Sequence, residues 1–312
     1  MNASELSVGL IIVFQTMIGI LANFSLLYHC MFLYLTRDRL RPTDWILMHL
    51  IVANILTLLS KGIPHTMAAF GLKDFLNDIG CKLIFSLHRI VRGVCIGSTA
   101  ILSVFQALII SPRFSRYSEL KGKIHKCIFY SVYLNWVIHF IISSINLVHM
   151  RGKYSNESTT NLKSYIYCHA VRHNPTSDIL YAALLSCPDI LFLGIMLYAS
   201  GFMVLTLYRD KQRMKSMPRI NVSSRSSPTS RATKTILFLI TTFVSFYTIS
   251  SLCQLLVSLI YNPSWSLLNV TAMSSLFFPT ICPFLFISHD SWASTFCLPL
   301  KMNIFPKPLA KN

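Results

Sequence analysis

Apolar residues dominate seven stretches of this 312-residue chain, and polar residues gather between them. The stretches run over about 7–35, 45–70, 83–110, 128–149, 179–208, 235–260 and 267–288. Each is long enough for a helix crossing a bilayer, which needs roughly 20 mostly apolar residues. None shows the strict two-residue alternation of a barrel strand, so the pattern predicts seven membrane-spanning helices. An odd number of spans puts the two ends of the chain on opposite sides. The expected fold class is therefore an all-α membrane protein, with one seven-transmembrane helix bundle over residues 1–312.

Composition strengthens that picture, because 53% of the residues are hydrophobic and only 12% charged, where a soluble domain has about 25% charged. No internal repeat stands out, and no matched pair of short, Gly/Pro-broken spans marks an inverted-repeat transporter. The net charge of +17 and pI near 9.7 would fit a nucleic-acid partner if the basic residues formed one patch. They are instead sorted by side. With the N-terminus outside, the inner segments hold nineteen Lys and Arg, the outer segments six, and the spans three. Positive residues stay inside, so this count predicts an outer N-terminus and an inner C-terminus, and it explains the pI with no nucleic acid. Residues 1–10 lack a basic n-region, and the first apolar run is too long for a cleaved h-region, so span one is expected to act as its own signal anchor.

Sidedness also sorts the cysteines and the glycosylation sequons. Cys30, Cys95, Cys127, Cys187, Cys253, Cys282 and Cys297 lie in spans or inside, where thiols stay reduced. Cys81, at the outer mouth of span three, and Cys168, in the loop between spans four and five, both face the oxidising side. They are expected to be bridged, two unrelated free thiols being the alternative. The same loop carries Asn156-Glu157-Ser158, an acceptor for N-linked sugar on the correct side. Sequons at Asn2, Asn23, Asn221 and Asn269 lie too near the membrane, in a span, inside, or at a span mouth. The inner loop 209–234 is rich in Ser, Arg and Lys, which fits either a solvated loop near anionic lipid or a docking surface for a cytoplasmic partner.

The stretch SLHRIVRGV (86–94) sets a histidine and two arginines inside an apolar span. At 1.5 Å of rise per residue, His88 lies about 10 Å and Arg92 about 16 Å below Cys81, Lys61 about 14 Å below Phe70, and Asp189 about 15 Å below Ile179. With Arg89 they form one layer holding three fixed positive charges and one negative. An ionised group at the bilayer centre costs roughly 2.5–3.5 kcal/mol on the most lenient scale, so these side chains are expected to face the bundle interior and find partners. Asp189 would pair in part with Arg92. Two readings of the surplus positive charge stand: water in an open vestibule solvates it, or it meets an anionic or polar group of a ligand. Pro64 and Pro188 flank the layer and are expected to kink spans two and five. No phosphate-binding glycine loop, zinc helix or nucleophile elbow occurs, so the chain reads as a binding protein with no catalytic residue, cofactor or metal.

Several stretches are similar to one family along nearly the whole chain: LLSKGIPHTMAAFGLKDFLNDIGCKLIFSLHRIVRG (58–93), LSVFQALIISPRFSRYSELKGK (102–123), LYAALLSCPDILFLGIMLYASGFMV (180–204), RINVSSRSSPTSRAT (219–233) and FVSFYTISS (243–251). The chain resembles the vomeronasal type-1 (pheromone) receptors, seven-helix G-protein-coupled receptors. The resemblance implies an outer N-terminus, a Cys81–Cys168 bridge, a sugar at Asn156, signalling through an inhibitory-class heterotrimeric G protein, and residence on vomeronasal sensory neurons. It also departs from the broader rhodopsin-like pattern. Phe105, Gln106 and Ala107 stand where an acidic-Arg-aromatic triplet would be. Asn54 replaces the sodium-site aspartate, and Cys282-Pro283-Phe284-Leu285-Phe286 replaces Asn-Pro-x-x-Tyr. Asn23 and Trp136 match common scaffold positions, with packing the expected role.

The reading that results is a plasma-membrane chemosensory receptor binding a small semiochemical, anionic or steroidal in one version, in the outer half of the bundle. Lys61, His88, Arg89, Arg92 and Asp189 are the candidate ligand contacts. Gln106, Arg113, Arg116, Arg209, Lys211, Arg213, Arg231 and Lys234 are the candidate G-protein contacts. A bitter-taste-like chemoreceptor and an anion transporter or channel using the same basic layer are the alternatives.

Overall fold

The computed structural model describes residues 3–36, 42–72, 75–111, 118–151, 162–171, 175–216, 228–260 and 262–287. Helices account for nearly all of them. Helix α1 covers Ala3–Thr36. The second span is built from α2 (Pro42–Thr57), a π-helical segment (Leu58–Gly62) and α3 (Ile63–Ala69). Helix α4 covers Asp78–Ile110, α5 Ser118–Ser143 and α6 Asn146–His149. Three short strands follow, β1 (Met150–Arg151), β2 (Leu162–Ser164) and β3 (His169–Val171). The last helices are α7 (Pro175–Ser216), α8 (Pro228–Leu259) and α9 (Trp265–Ile287). Seven stretches among these helices are long and apolar enough to cross a membrane.

Helix α4 is the axis. It lies against α2, α5 and α7, while α7–α8–α9–α1 close the bundle around it. Leu50, Ile96, Met196 and Phe243 are fully buried in one core, whereas Phe14, Leu21, Phe140 and Leu197 point outward. Outward apolar side chains suit hydrocarbon, so the pattern fits lipid on the outside. Helices in lipid gain little from the hydrophobic effect and attract one another through close packing, which needs small residues. Gly93 and Gly97 provide that on α4, because a Cβ at either would collide with His139 or Asn135 of α5. The resulting approach lets Asn135 Nδ2 donate to the Val94 carbonyl at 3.2 Å.

Prolines are accommodated by local repair. Pro283 cannot donate to the carbonyl of Pro279, four residues back, and a bare carbonyl in hydrocarbon is costly. Asn23 Nδ2 supplies the donor from α1 at 2.8 Å. Asn23 thus has a specific bonding role beyond the packing expected of it. In span two, Pro64 stands in the first turn of α3, one residue beyond the π-helical segment, the local rewinding that absorbs a missing i to i−4 bond. Gly71, with φ of 92°, ends α3 in the left-handed conformation that suits glycine.

Span four, read as 128–149, is two helices. Helix α5 stops at Ser143, and Ser144 turns its hydroxyl back onto the Ile141 carbonyl at 2.7 Å, a local bond that competes with helix continuation. The strands of the following loop were not expected. They pair antiparallel in the order β1-β3-β2, with Lys163 opposite Ala170. Asn77 caps α4 by accepting from the Gly80 amide at 2.8 Å, which places Cys81 in the first turn. There it is bonded to Cys168, and the other described cysteines are free thiols. Lys163 of β2 donates to the carbonyls of Val257 and Ser258 at 2.6 and 2.8 Å, so the sheet is also fastened to the C-terminal turn of α8, where a cation is favoured. Tyr167, beside the disulfide, is deeply buried, and desolvation raises its hydroxyl pKa above the ordinary value.

The bridge closes a loop with a sequence separation of 87, worth about 4–5 kcal/mol by the chain-entropy relation. Cys81→Ser, Cys168→Ser and the double variant should lose equal thermal stability in detergent, with no additional loss in the double. Additive losses in melting curves would mean that the two thiols act separately.

Candidate functional site

The buried charges fall into two groups with different bonding. Arg89 and Arg92 are three positions apart on α4 and share a face. Both reach the same carboxylate on α7. Arg89 spans it with two bonds, to Oδ2 at 3.3 Å and Oδ1 at 3.4 Å of Asp189, and Arg92 adds one to Oδ2 at 3.3 Å. These are longer than the roughly 2.7–2.9 Å usual for an undivided charged pair, as expected when two forks share one acceptor. Arg92 also donates to Ser250 at 2.8 Å and Ser251 at 2.7 Å, both on α8. Three helices are therefore tied through four polar side chains and one carboxylate. The expected partial pairing of Asp189 with Arg92 is present, and Arg89 joins it.

Lys61, His65 and His88 form the second group. They lie within electrostatic reach of one another. Lys61 leaves the π-helical segment half-buried, with its ammonium 5.8 Å from the centre of the Phe85 ring, a cation–π distance. It makes no ion pair among the described residues. Both ring nitrogens of His65 and of His88 lack a hydrogen-bond partner, as does the Ser86 hydroxyl. Asn269 lies within reach of the His65 ring but forms no hydrogen bond of acceptable geometry with it. Its amide nitrogen is already bonded to the Trp265 carbonyl at 2.8 Å.

Buried polar atoms are nearly always satisfied, and each orphan costs about 1–3 kcal/mol. The layer thus divides into a part that is largely complete in itself and a part with unfilled bonding capacity. His65, Ser250 and Ser251 were not singled out in the sequence. The serines sit in FVSFYTISS, where their side chains give no signal of a guanidinium partner on α4. His65 lies four residues after Lys61, a helical spacing that marks it as a neighbour in retrospect.

Other singled-out residues have more local roles. Cys95 donates to Asn54 Oδ1 at 3.3 Å, so the sodium-site position is occupied by a thiol–amide contact. Trp136 donates to His49 at 3.2 Å. Gln106 is half-buried on α4 and its Oε1 has no partner, and Arg209 is exposed on α7. The backbones of Lys211 and Arg213 belong to α7 and those of Arg231 and Lys234 to α8, but their side chains lie outside the described residues. Arg113, Arg116 and Asn156 lie outside them altogether.

A helical bundle of seven candidate spans, capped by a disulfide-pinned sheet and charged within, is the frame of a multi-pass membrane protein. Comparison with known sequences gives the family. The model of the vomeronasal organ pheromone receptor family matches residues 6–298. Vomeronasal type-1 receptor 4 of Homo sapiens is 45% identical over 96% of this chain and 100% of its own length. Vomeronasal type-1 receptor 3 of Homo sapiens is 45% identical over 93% of each chain. Olfactory receptor class A-like protein 1 of Danio rerio is 30% identical over 90% of this chain and 89% of its own. The chain belongs to the vomeronasal organ pheromone receptor family.

Removing one partner of a buried ion pair costs about 3–5 kcal/mol because a charge is stranded. Asp189→Asn should therefore lower the melting temperature and surface density of the protein sharply, and adding Arg89→Gln should restore part of the loss. Thermal denaturation of the three forms checks the coupling; a double variant no better than Asp189→Asn would contradict it.

Proposed function

We propose that the chain is a chemosensory receptor of the plasma membrane, one seven-span unit with its N-terminus outside. In this reading it binds a small semiochemical in the half of the bundle that carries the disulfide, and activates an inhibitory-class heterotrimeric G protein at the opposite end. Vomeronasal sensory neurons are the proposed site of action, and Asn156 the proposed sugar acceptor. The G protein would meet Gln106 and the basic residues Arg113, Arg116, Arg209, Lys211, Arg213, Arg231 and Lys234.

The observation that carries this reading is the unfilled group. Lys61 and His88, with His65 beside them, offer a cation and open hydrogen-bonding positions inside the helices. An anionic or strongly polar ligand group supplies what they lack. Arg89, Arg92 and Asp189 belong to the same site as its wall: they fix the position of α4 against α7 and α8, and the remaining positive charge favours an anion nearby. A ligand that bonds the open group differently in two packings of α4, α7 and α8 shifts the balance between them by its differential affinity.

The two roles separate by mutation. Lys61→Gln should leave surface density intact and weaken the G-protein response to sulfated probes by about 10–100-fold, while sparing uncharged ones. Arg92→Gln should depress responses to both classes alike. Ligand-evoked G-protein activation in heterologous cells, with anion flux in vesicles measured alongside, checks this. Flux without G-protein coupling, or a Lys61→Gln variant indifferent to ligand charge, overturns the reading.

A further inference from the structure

A groove of about 530 Å³ runs along the outward face of α9, between α1 on one side and α8 on the other. Val270, Phe277 and Ile281 of α9 form its floor, with Ile11 of α1 and Phe246 and Ile249 of α8 as walls. Ile11, Ile249, Val270 and Phe277 are exposed, and all three helices contain candidate membrane spans, so the groove opens onto hydrocarbon and not onto water. At 1.5 Å of rise per residue its floor lies about 8–24 Å below Trp265, the start of α9 at the disulfide end, within a hydrocarbon core about 30 Å thick. No residue of the lining is charged. Its polar side chains are turned onto helix carbonyls: Gln15 Nε2 donates to that of Met273 at 3.1 Å, Ser274 to that of Thr271 at 3.1 Å, and Thr280 to that of Gln15 at 3.0 Å. What the groove offers a guest is aliphatic and aromatic surface.

We propose that this groove holds a sterol of the surrounding bilayer, lying lengthwise along α9 and bridging α1 to α8. The rings of Phe246 and Phe277, with centroids 4.4 Å apart and planes tilted by 42°, join α8 to α9 and give a fused ring system aromatic surface to pack on. Ile11, Ile249 and Val270 are β-branched and stiff at χ1, so the walls keep their shape without a guest. A preformed groove favours a rigid partner: an acyl chain loses rotational freedom when it is ordered there, and a fused ring has little to lose. Ser266, four residues before Val270 on the same helix face and exposed, marks the level at which the sterol hydroxyl reaches the headgroups. The groove shares no residue with the Lys61–His65–His88 group or with the Arg89–Asp189–Arg92 hub, and the proposal does not depend on the signalling role given above.

The test is photo-cross-linking of a diazirine-bearing cholesterol to the full-length protein in phosphatidylcholine nanodiscs, with the labelled residues read by mass spectrometry and unlabelled cholesterol as competitor. Labelling should concentrate on the groove residues of α1, α8 and α9, saturate with sterol content, and be displaced by excess cholesterol. Val270→Trp and Ile249→Trp, which fill the groove from its floor and from one wall, should each lose most of it. Leu197→Trp, on the outward face of α7, should leave it unchanged. All three positions are exposed, so the core is untouched, and retention of the Cys81–Cys168 bond and of the melting temperature identifies variants that fold. The proposal is overturned if cholesterol labels the outward faces of all the helices evenly, if a diazirine-bearing phosphatidylcholine labels the groove and cholesterol does not displace it, or if either filled variant, once folded, labels as the parent does.

Discussion

One carboxylate shared by two arginines sets the rest of the structure. Asp189 on α7 holds Arg89 and Arg92 of α4, and Arg92 passes the connection on to Ser250 and Ser251 of α8. In a low-dielectric interior the arginines would repel each other and neither could be desolvated alone. The acid between them makes both placements tenable. Lys61 is left as a half-buried cation without an ion pair among the described residues, beside His65 and His88.

The hub is also where the disulfide-end sheet gains leverage. Its β3 side is bound to α4 through Cys81–Cys168, its β1 strand continues from α6, and Lys163 on β2 holds the last turn of α8. The same two helices, α4 and α8, are thus linked twice, once through the sheet and once through Arg92 and its serines. A large change in the relative position of these helices would have to break or re-form bonds at both levels.

Much of this was legible in the chain because lipid imposes simple rules. The seven apolar stretches follow from length, and the pairing of Cys81 with Cys168 from their places at the same end of neighbouring spans. Depth counting along each span placed Arg92 and Asp189 at one level, since helical rise is constant. What it could not supply was rotation about each helix axis, and so it missed that Arg89 joins the carboxylate while His88 stays unbonded. The π-helical segment before Pro64, the turn at Ser144 and the small sheet were likewise hidden, because each depends on local hydrogen-bond competition or on distant pairing. Asn23 shows the limit most clearly: its scaffold position was evident, but its work as a donor to the carbonyl orphaned by Pro283 appears only when α1 and α9 are side by side.

The most direct measurement of the shared carboxylate is infrared difference spectroscopy of the protein in nanodiscs, parent against Asp189→Asn. An Asp189 held between two guanidinium groups should contribute the paired stretches of an ionised carboxylate, lost in the variant and shifted in frequency by Arg89→Lys. A lost band in the region of a protonated carboxyl carbonyl, indifferent to Arg89→Lys, would contradict the account at its centre.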